Sequence, residues 1–533
     1  MAVDCALRRG PACRPCVRAL PSFAPMNASA APGALAPISP RSPIAHPLAW
    51  LLAIALAHVA VRVSVSPALK WDEAEQMLWS QQLAWGYGAQ PPLYTWLQWA
   101  LNLVFGPSVL ALSLLKHALL ALTYALMYLA GRELLGPRGA WWASASMLLL
   151  PALGWYSIRD QTHTILVTAM ACAAWWLLLR IVRHRRPADF AWLGLVCGCG
   201  MLAKYSFALV AVAMLLAALS VPEARRALLS RGWWWAPIVG TLVVLPHALW
   251  LLGHLHVATS ETVGKMQIHA EPRLGKGLLS LADDVIGTLL LWVLFALWAF
   301  RAAWWRKPLT PALPWAHRLL WRYLALIVLA LLGMVLVAGV TSFKGRWMVP
   351  LLCVAPLAAF AARPELQQHP RGGRYTRAIV VMALLILLAA GLRPWFSGLR
   401  GDTDELNHPA AELGLALQQA GYDGTSRIIA ADHMLAGMLR TRFPRAPVDS
   451  CNTDEKEEVT PCVAGNVARA QQAGQGWLLI SRSDRVAPDW WAQAQGAVTP
   501  QAVQTIERPF HMVREGVAPA QYRYVWHAAG SKP

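Results

Sequence analysis

Long apolar runs, separated by short clusters of Arg and Lys, occupy most of the chain between residues 46 and 393. Hydropathy predicts spans at about 46–66, 107–131, 138–153, 162–181, 190–203, 205–221, 234–252, 280–300, 322–341, 347–362 and 377–393, about eleven in all. The segment between the first two, residues 67–106, carries Trp79, Trp85, Tyr87, Tyr94, Trp96 and Trp99, which suit amphipathic helices lying at the membrane interface. After residue 394 the apolar stretches shorten to strand length, as in Arg427–Ala430 and Trp477–Ile480, with helical patterns at 409–420 and 432–440. This reads as a small α/β domain outside the bilayer. Three parts are therefore expected: a disordered basic tail (1–43), a membrane region (44–393) and a C-terminal domain (394–533).

Composition strengthens the membrane reading. Of 533 residues, 57% are hydrophobic and 14% charged, and the mean hydropathy is +0.41. A soluble chain of this size does not cover so apolar a core. The net charge of +19 raises nucleic acid as a partner, but the basic residues lie in loops between spans and form no aromatic-interleaved basic face. Their distribution instead follows the positive-inside rule. With the N-terminus inside, inner loops hold 18 Lys and Arg and outer loops up to Arg393 hold nine. An odd span count then places residues after 394 in the periplasm of a bacterial inner membrane.

Acidic chemistry is sparse and concentrated. Only twelve Asp and Glu lie between Ile44 and Arg400, and three of them, Asp72, Glu73 and Glu75, fall within four positions after the first span. Carboxylates at a span end invite a functional reading; the plainer one is a solvated helix start, where acids favour the first turn. Arg159-Asp160 ends the third run on the same outer side, as a site element or an interfacial ion pair. Lys116-His117 and Arg62 lie inside spans, snorkelling or facing a polar cavity. Lys204 and the Lys344-Gly345-Arg346 cluster sit in outer turns, as topological flanks or as ligands for an anion. A carboxylate can deprotonate an attacking hydroxyl, and cations can stabilise a departing phosphate. The candidates are thus Asp72, Glu73 and Asp160 for catalysis, and Lys204, Arg346, Lys344, Arg159 and Lys116 for phosphate. Glu75 is assigned to the solvated side of its helix.

Other features carry less chemistry. Cys451 and Cys462 are the only cysteines of the polar C-terminal segment and are expected to close a disulfide in an oxidising compartment. Asp432-His433 is weighed as a second site against the commoner solvated reading. No His/Cys cluster has metal-ligand spacing; a divalent cation would depend on carboxylates with His256 or His269.

At these positions the chain resembles the GT-C class of integral membrane glycosyltransferases, specifically the bacterial branch related to protein O-mannosyltransferases and the lipid A aminoarabinose transferase. The likeness rests on Asp72-Glu73 after the first span, Gln90-Pro91-Pro92-Leu93, Lys116, Asp160, Lys204 after a Gly-rich short span, and Arg346-Trp347-Met348-Val349-Pro350. It covers roughly residues 46–365. The resemblance implies inverting transfer of a sugar from a polyprenyl-phosphate donor to a lipid, glycan or protein acceptor at the periplasmic face, without an obligatory cofactor. It makes Asp72 the acceptor-activating base or its close partner, Asp160 the second acid, and Lys204 and Arg346 the donor-phosphate contacts. Arg159 before Asp160, and Gln161-Thr162-His163 after it, are less apolar than that pattern. A secondary transporter or flippase is the rival; it predicts internal repeats and midplane charges, and neither is evident here.

Overall fold

Hydropathic runs become helices, in places continuing across an internal proline, as at Pro246, Pro350 and Pro394. The computed structural model describes residues 47–256, 264, 266, 274–304, 313–451, 458–484, 486–487, 489–498 and 501–530; the N-terminal tail and His269 lie outside these. Helix α1 (Pro47–Val65) leads into two short helices, α2 (Trp71–Trp79) and α3 (Leu93–Phe105), and then the long α4 (Val109–Leu134). Next come α5 (Pro137–Ala145), α6 (Ser157–Asp160), α7 (His163–His184), α8 (Pro187–Ala203), α9 (Phe207–Ser220), α10 (Pro222–Leu228) and α11 (Trp235–Leu252). The membrane region closes with α12 (Leu274–Phe300), α13 (Pro314–Leu336), α14 (Gly345–Leu352), α15 (Ala355–Ala362) and α16 (Gly372–Arg400). Proline at the first helical turn starts α5, α8, α10 and α13, where its missing N–H leaves nothing unpaired.

Among the described residues, eight spans are long and apolar enough to cross a bilayer, or nine if α9 and α10 count as one. The other three expected runs are also helical, but as short or broken helices, each for a local reason. The run 138–153 is no single helix: α5 passes into a 3-10 turn at Ser146–Leu149 and a π turn at Ala152–Tyr156. Pro151 pushes Leu150 to an extended backbone (φ −86°, ψ 108°). Gly154 lies so close to the carbonyl oxygen of Leu148 that an added Cβ would sit 1.9 Å from it. Helix α8 has only 17 residues. Val221 before Pro222 is likewise extended, and α9 and α10 meet at 112°. Gly194 and Gly198 on α8 let α11 approach closely; a Cβ at Gly194 would meet the Ala236 carbonyl oxygen at 2.3 Å.

Beyond α16 lie α17 (Ala410–Gln419), β1 (Arg427–Ala430), α18 (His433–Arg442), β2 (Val448–Ser450), α19 (Val459–Gln472), β3 (Trp477–Arg482), α20 (Trp490–Gly496), β4 (Gln504–Arg508) and β5 (Ala520–His527). The strands form one sheet in the order β2-β1-β3-β5-β4. Strand β1 runs parallel to β2 and β3, while β5 pairs antiparallel with β3 and β4. A disulfide joins Cys451 to Cys462, with Cα atoms 5.8 Å apart.

This sheet segment grips α2. Ala68, Leu69, Ala74, Met77 and Leu78 are buried in one apolar cluster with Leu413, Ile428, Leu435 and Leu439. Gly437 of α18 meets Ala74 with no room for a side chain, since an added Cβ would lie 2.5 Å from the Ala74 Cα. The Gln81 amide donates to the Val448 carbonyl at 2.7 Å and accepts the Val448 N–H at 3.0 Å. Lys70 pairs with Asp404 and, at 2.6 Å, with Glu405.

Candidate active site

The first turn of α2 is held from beneath by a buried charge network. Glu73 and Lys116 are each 1% exposed. Glu73 accepts from Arg62 Nη2 at 2.7 Å, from Lys116 Nζ at 3.0 Å and from the Lys70 backbone N–H at 3.1 Å. Arg62 also donates to the carbonyls of Ser66 and Ala68 at 2.8 and 2.7 Å. Burial alone would raise the Glu73 pKa, but Arg62 and then Lys116 hold it well below the usual carboxylate range. The structure therefore joins two residues that sequence reasoning had given separate roles, Glu73 as an acid and Lys116 as a phosphate ligand. It also turns Arg62 inward to an acid instead of letting it snorkel.

One residue earlier on the same turn, Asp72 is half-buried and faces other partners. Its backbone N–H donates to Asp160 Oδ1 at 3.1 Å, so Asp160 sits at the positive end of α2. The Asp72 carboxylate accepts a backbone hydrogen bond from Thr162. Burial raises its pKa, and the positive charges of Arg346, Lys116 and Lys204 act against that rise. Arg346 comes from the first turn of α14, whose N-terminus is fixed by a Gly345 N–H bonded to Asp284. Lys204 ends α8 and donates to Thr164 Oγ1 at 3.2 Å. Asp72, Asp160, Lys116, Lys204 and Arg346 thus converge from five segments of the chain.

Burial, and then the neighbouring Asp72 charge, push the Asp160 pKa up to about 7. Two close carboxylates lose their protons stepwise, as a pair. While the pair shares one proton, Asp72 is not ionised in every molecule and becomes fully so only once Asp160 has also lost its proton, so a reaction that uses Asp72 as base should slow as pH drops through about 7. The acid limb of a kcat/KM profile checks this, and a limb in the ordinary carboxylate range would contradict it. The raised pKa also means that the folded chain binds this proton more tightly than the unfolded chain does. Asp160 therefore favours folding less as pH rises from the usual carboxylate range toward 7.

A polar wall completes the pocket on the α3 and α7 side. Gln76 Nε2 lies 3.2 Å from His163 Nε2, Thr95 Oγ1 donates to Gln76 Oε1 at 2.9 Å, and His163 Nδ1 meets the Ala203 carbonyl at 3.3 Å. Tyr94 is fully buried beside the His163 ring, with its phenol pKa raised by burial and then by Glu73 and Asp72. Sequence reasoning missed Gln76 and His163; a Gln one turn after Asp72 in α2 was the available signal.

Other candidates lie elsewhere. Arg159 rests over the Trp155 ring, 5.8 Å from its centroid, and lines a separate cavity with Arg62, Lys70 and Arg393. Successive helical residues point about 100° apart, so its neighbour Asp160 faces another way. Lys344 is half-buried at the N-cap of α14, and Glu75 is half-buried on α2. Asp432 caps α18 by accepting the Leu435 N–H at 2.9 Å, and His433 packs edge-on to Trp71, so this pair serves the α2 contact. Among the described residues no group of three His, Cys, Asp or Glu side chains is placed to hold a metal ion.

A polytopic helical region with acids and cations gathered at the start of its first loop, carrying a small sheet segment at its C-terminus, defines a GT-C membrane glycosyltransferase. Residues 89–250 match the dolichyl-phosphate-mannose-protein mannosyltransferase family. The chain is 30% identical over 478 residues to the lipopolysaccharide core galacturonosyltransferase RgtA of Rhizobium johnstonii, covering 87% of this chain and 94% of the relative. It is 31% identical over 498 residues to RgtB of the same organism, covering 90% and 97%. The structure of ArnT from Cupriavidus metallidurans bound to undecaprenyl phosphate shares the fold, with a TM-score of 0.58 at 14% identity over 89% of this chain and 97% of that one. The chain belongs to the GT-C glycosyltransferase family that includes these Rhizobium enzymes.

Proposed function

We propose that this glycosyltransferase moves a uronic acid, galacturonate in the first instance, from a polyprenyl-phosphate donor to the core or lipid A region of lipopolysaccharide at the periplasmic face. The pairing of Asp72 with Asp160 among three cations carries the reading; the sugar and acceptor follow the two Rhizobium relatives. Asp72 takes the proton of the acceptor hydroxyl as its oxygen attacks the anomeric carbon. The bond from that carbon to the phosphate oxygen breaks, and polyprenyl phosphate leaves with the electron pair toward Lys204 and Arg346. Polyprenyl phosphate needs no proton to depart, so one base suffices. Asp160 orients the α2 N-terminus and shares the proton inventory of Asp72. Glu73 neutralises Lys116 and Arg62 and so sets the position of the base. The loop charges support a cytoplasmic N-terminus and periplasmic residues beyond α16; the shortening of apolar stretches after residue 394 supports a division near 393, where α16 itself continues to Arg400.

The test is transfer by purified protein from polyprenyl phosphate-galacturonate to core lipopolysaccharide, beside the lipopolysaccharide of a deletion strain. Loss of one acidic sugar from the deletion strain, restored by the purified enzyme, is the expected result. Unchanged lipopolysaccharide together with an altered glycan elsewhere would reassign the acceptor.

A further inference from the structure

We propose that the α1–α4–α16 face holds one molecule of an anionic, hydroxyl-bearing phospholipid of the phosphatidylglycerol kind, at a site separate from the Asp72–Asp160 pocket. Two cavities meet there and share His58, His117 and Ile158 in their walls. The first is an apolar chamber of about 790 Å³, counted with the space at its mouth, walled by Leu51, Ile54, Leu120, Tyr124, Trp141 and Ile379. The second, of about 510 Å³ on the same basis, brings together Arg62, Lys70, Arg159 and Arg393, and its lining contains no Asp or Glu among the described residues.

The cations differ in how far they are satisfied. Arg62 is paired with Glu73, Lys70 with Asp404 and Glu405, and Arg393 with Asp404. Arg159 has a buried Nε without a hydrogen-bond partner and lies close enough to Arg393 to repel it. Arg159 and Arg393 line the same cavity, and a phosphate there would offset their repulsion and give the Arg159 guanidinium an acceptor.

At the junction of the two chambers stand the histidines, 8% and 3% exposed and stacked with ring centroids 5.4 Å apart. Each commits Nδ1 to its own helix, His58 to the Ile54 carbonyl and His117 to the Ser113 carbonyl, both at 2.8 Å. Each Nε2 is buried and unpartnered. An unmet buried polar atom is costly, and a neutral imidazole bonded this way accepts at Nε2. The occupant therefore supplies a hydroxyl donor near its phosphate, with a hydrocarbon chain below. Phosphate, hydroxyl and chain in that order are the chemistry of a glycerol-headed phospholipid. A chain entering from the bilayer meets this face directly, because Leu52 and Leu56 on the neighbouring surface of α1 are exposed.

The full-length protein in nanodiscs of phosphatidylcholine doped with phosphatidylglycerol tests this, the phosphatidylglycerol carrying a photoreactive group in one acyl chain. Crosslinks should map to α1 and α4 around Ile54 and Leu120. Arg159→Gln, which breaks no ion pair seen here, should lower their yield about tenfold. Ala55→Phe, which fills the apolar chamber, should abolish those crosslinks while the protein elutes as the parent does on gel filtration. Excess inorganic phosphate should not displace the lipid, because the chain contributes to binding. Equal labelling by photoreactive phosphatidylcholine, no effect of Arg159→Gln, or full displacement by phosphate would each overturn the proposal. None of these readouts depends on sugar transfer.

Discussion

Asp72→Asn should abolish sugar transfer while leaving the protein inserted and folded. The substitution keeps the shape of the side chain and the backbone N–H that Asp160 accepts at 3.1 Å, so α2 keeps its place. What disappears is the capacity to take a proton from the acceptor hydroxyl. Loss of a positioned general base costs typically about 10²–10⁴-fold in rate. Single-turnover measurement with purified enzyme separates this from weaker substrate binding, because the chemical step slows at saturating donor. Glu75→Gln on the same helix is the control and should stay near the parent rate. Normal turnover by Asp72→Asn with a dead Glu75→Gln would assign the reaction to the wrong carboxylate. Normal turnover by both would remove the mechanism.

Glu73→Gln should instead strike stability. Arg62 and Lys116 both donate to this carboxylate from buried positions, and the neutral amide leaves two interior cations without a counter-charge. Removing one partner of a buried pair costs about 3–5 kcal/mol, a large share of the margin of a typical folded domain. Thermal unfolding in detergent should show a marked fall, with activity lost as a consequence. Adding Lys116→Met to Glu73→Gln removes one of the stranded charges and should recover part of the loss. An unchanged melting profile for Glu73→Gln would mean that the network contributes little to holding α2.

Much of this was legible in the sequence, and the failures share a cause. Hydropathy located the apolar runs because each depends only on its own composition. The run at 138–153 is helical as expected, but Pro151 breaks it into α5, a 3-10 turn and a π turn, a detail that composition does not carry. Strands were visible as short apolar stretches at Arg427–Ala430 and Trp477–Ile480, the second extending in the structure to Arg482. At the site, the acids around Asp72 stood out because charge is scarce in this chain. Their division of labour did not, since Glu73 meets Lys116 across 43 positions and Asp72 meets Asp160 across 88. Such pairs are chosen by packing, which a linear reading does not contain. Arg159 shows the reverse error, where adjacency in sequence was taken for adjacency in space.

The Gln81 clasp on β2 bears on how the protein is made. Gln81 and Val448 are 367 residues apart, and at about 5–20 residues per second a ribosome needs roughly 20–70 s to bridge that distance. Throughout that interval the apolar side of α2 formed by Ala74, Met77 and Leu78 lacks the C-terminal residues that make up most of its buried cluster, such as Leu435 and Leu439. The outer edge of β2 likewise stays open until Gln81 closes it, and an open strand edge recruits other chains. The contact thus joins an early loop to a segment synthesised much later, by a docking event that cannot precede residue 448. A nascent chain stalled before residue 448 should accumulate as an inserted, protease-sensitive intermediate whose base has no fixed position.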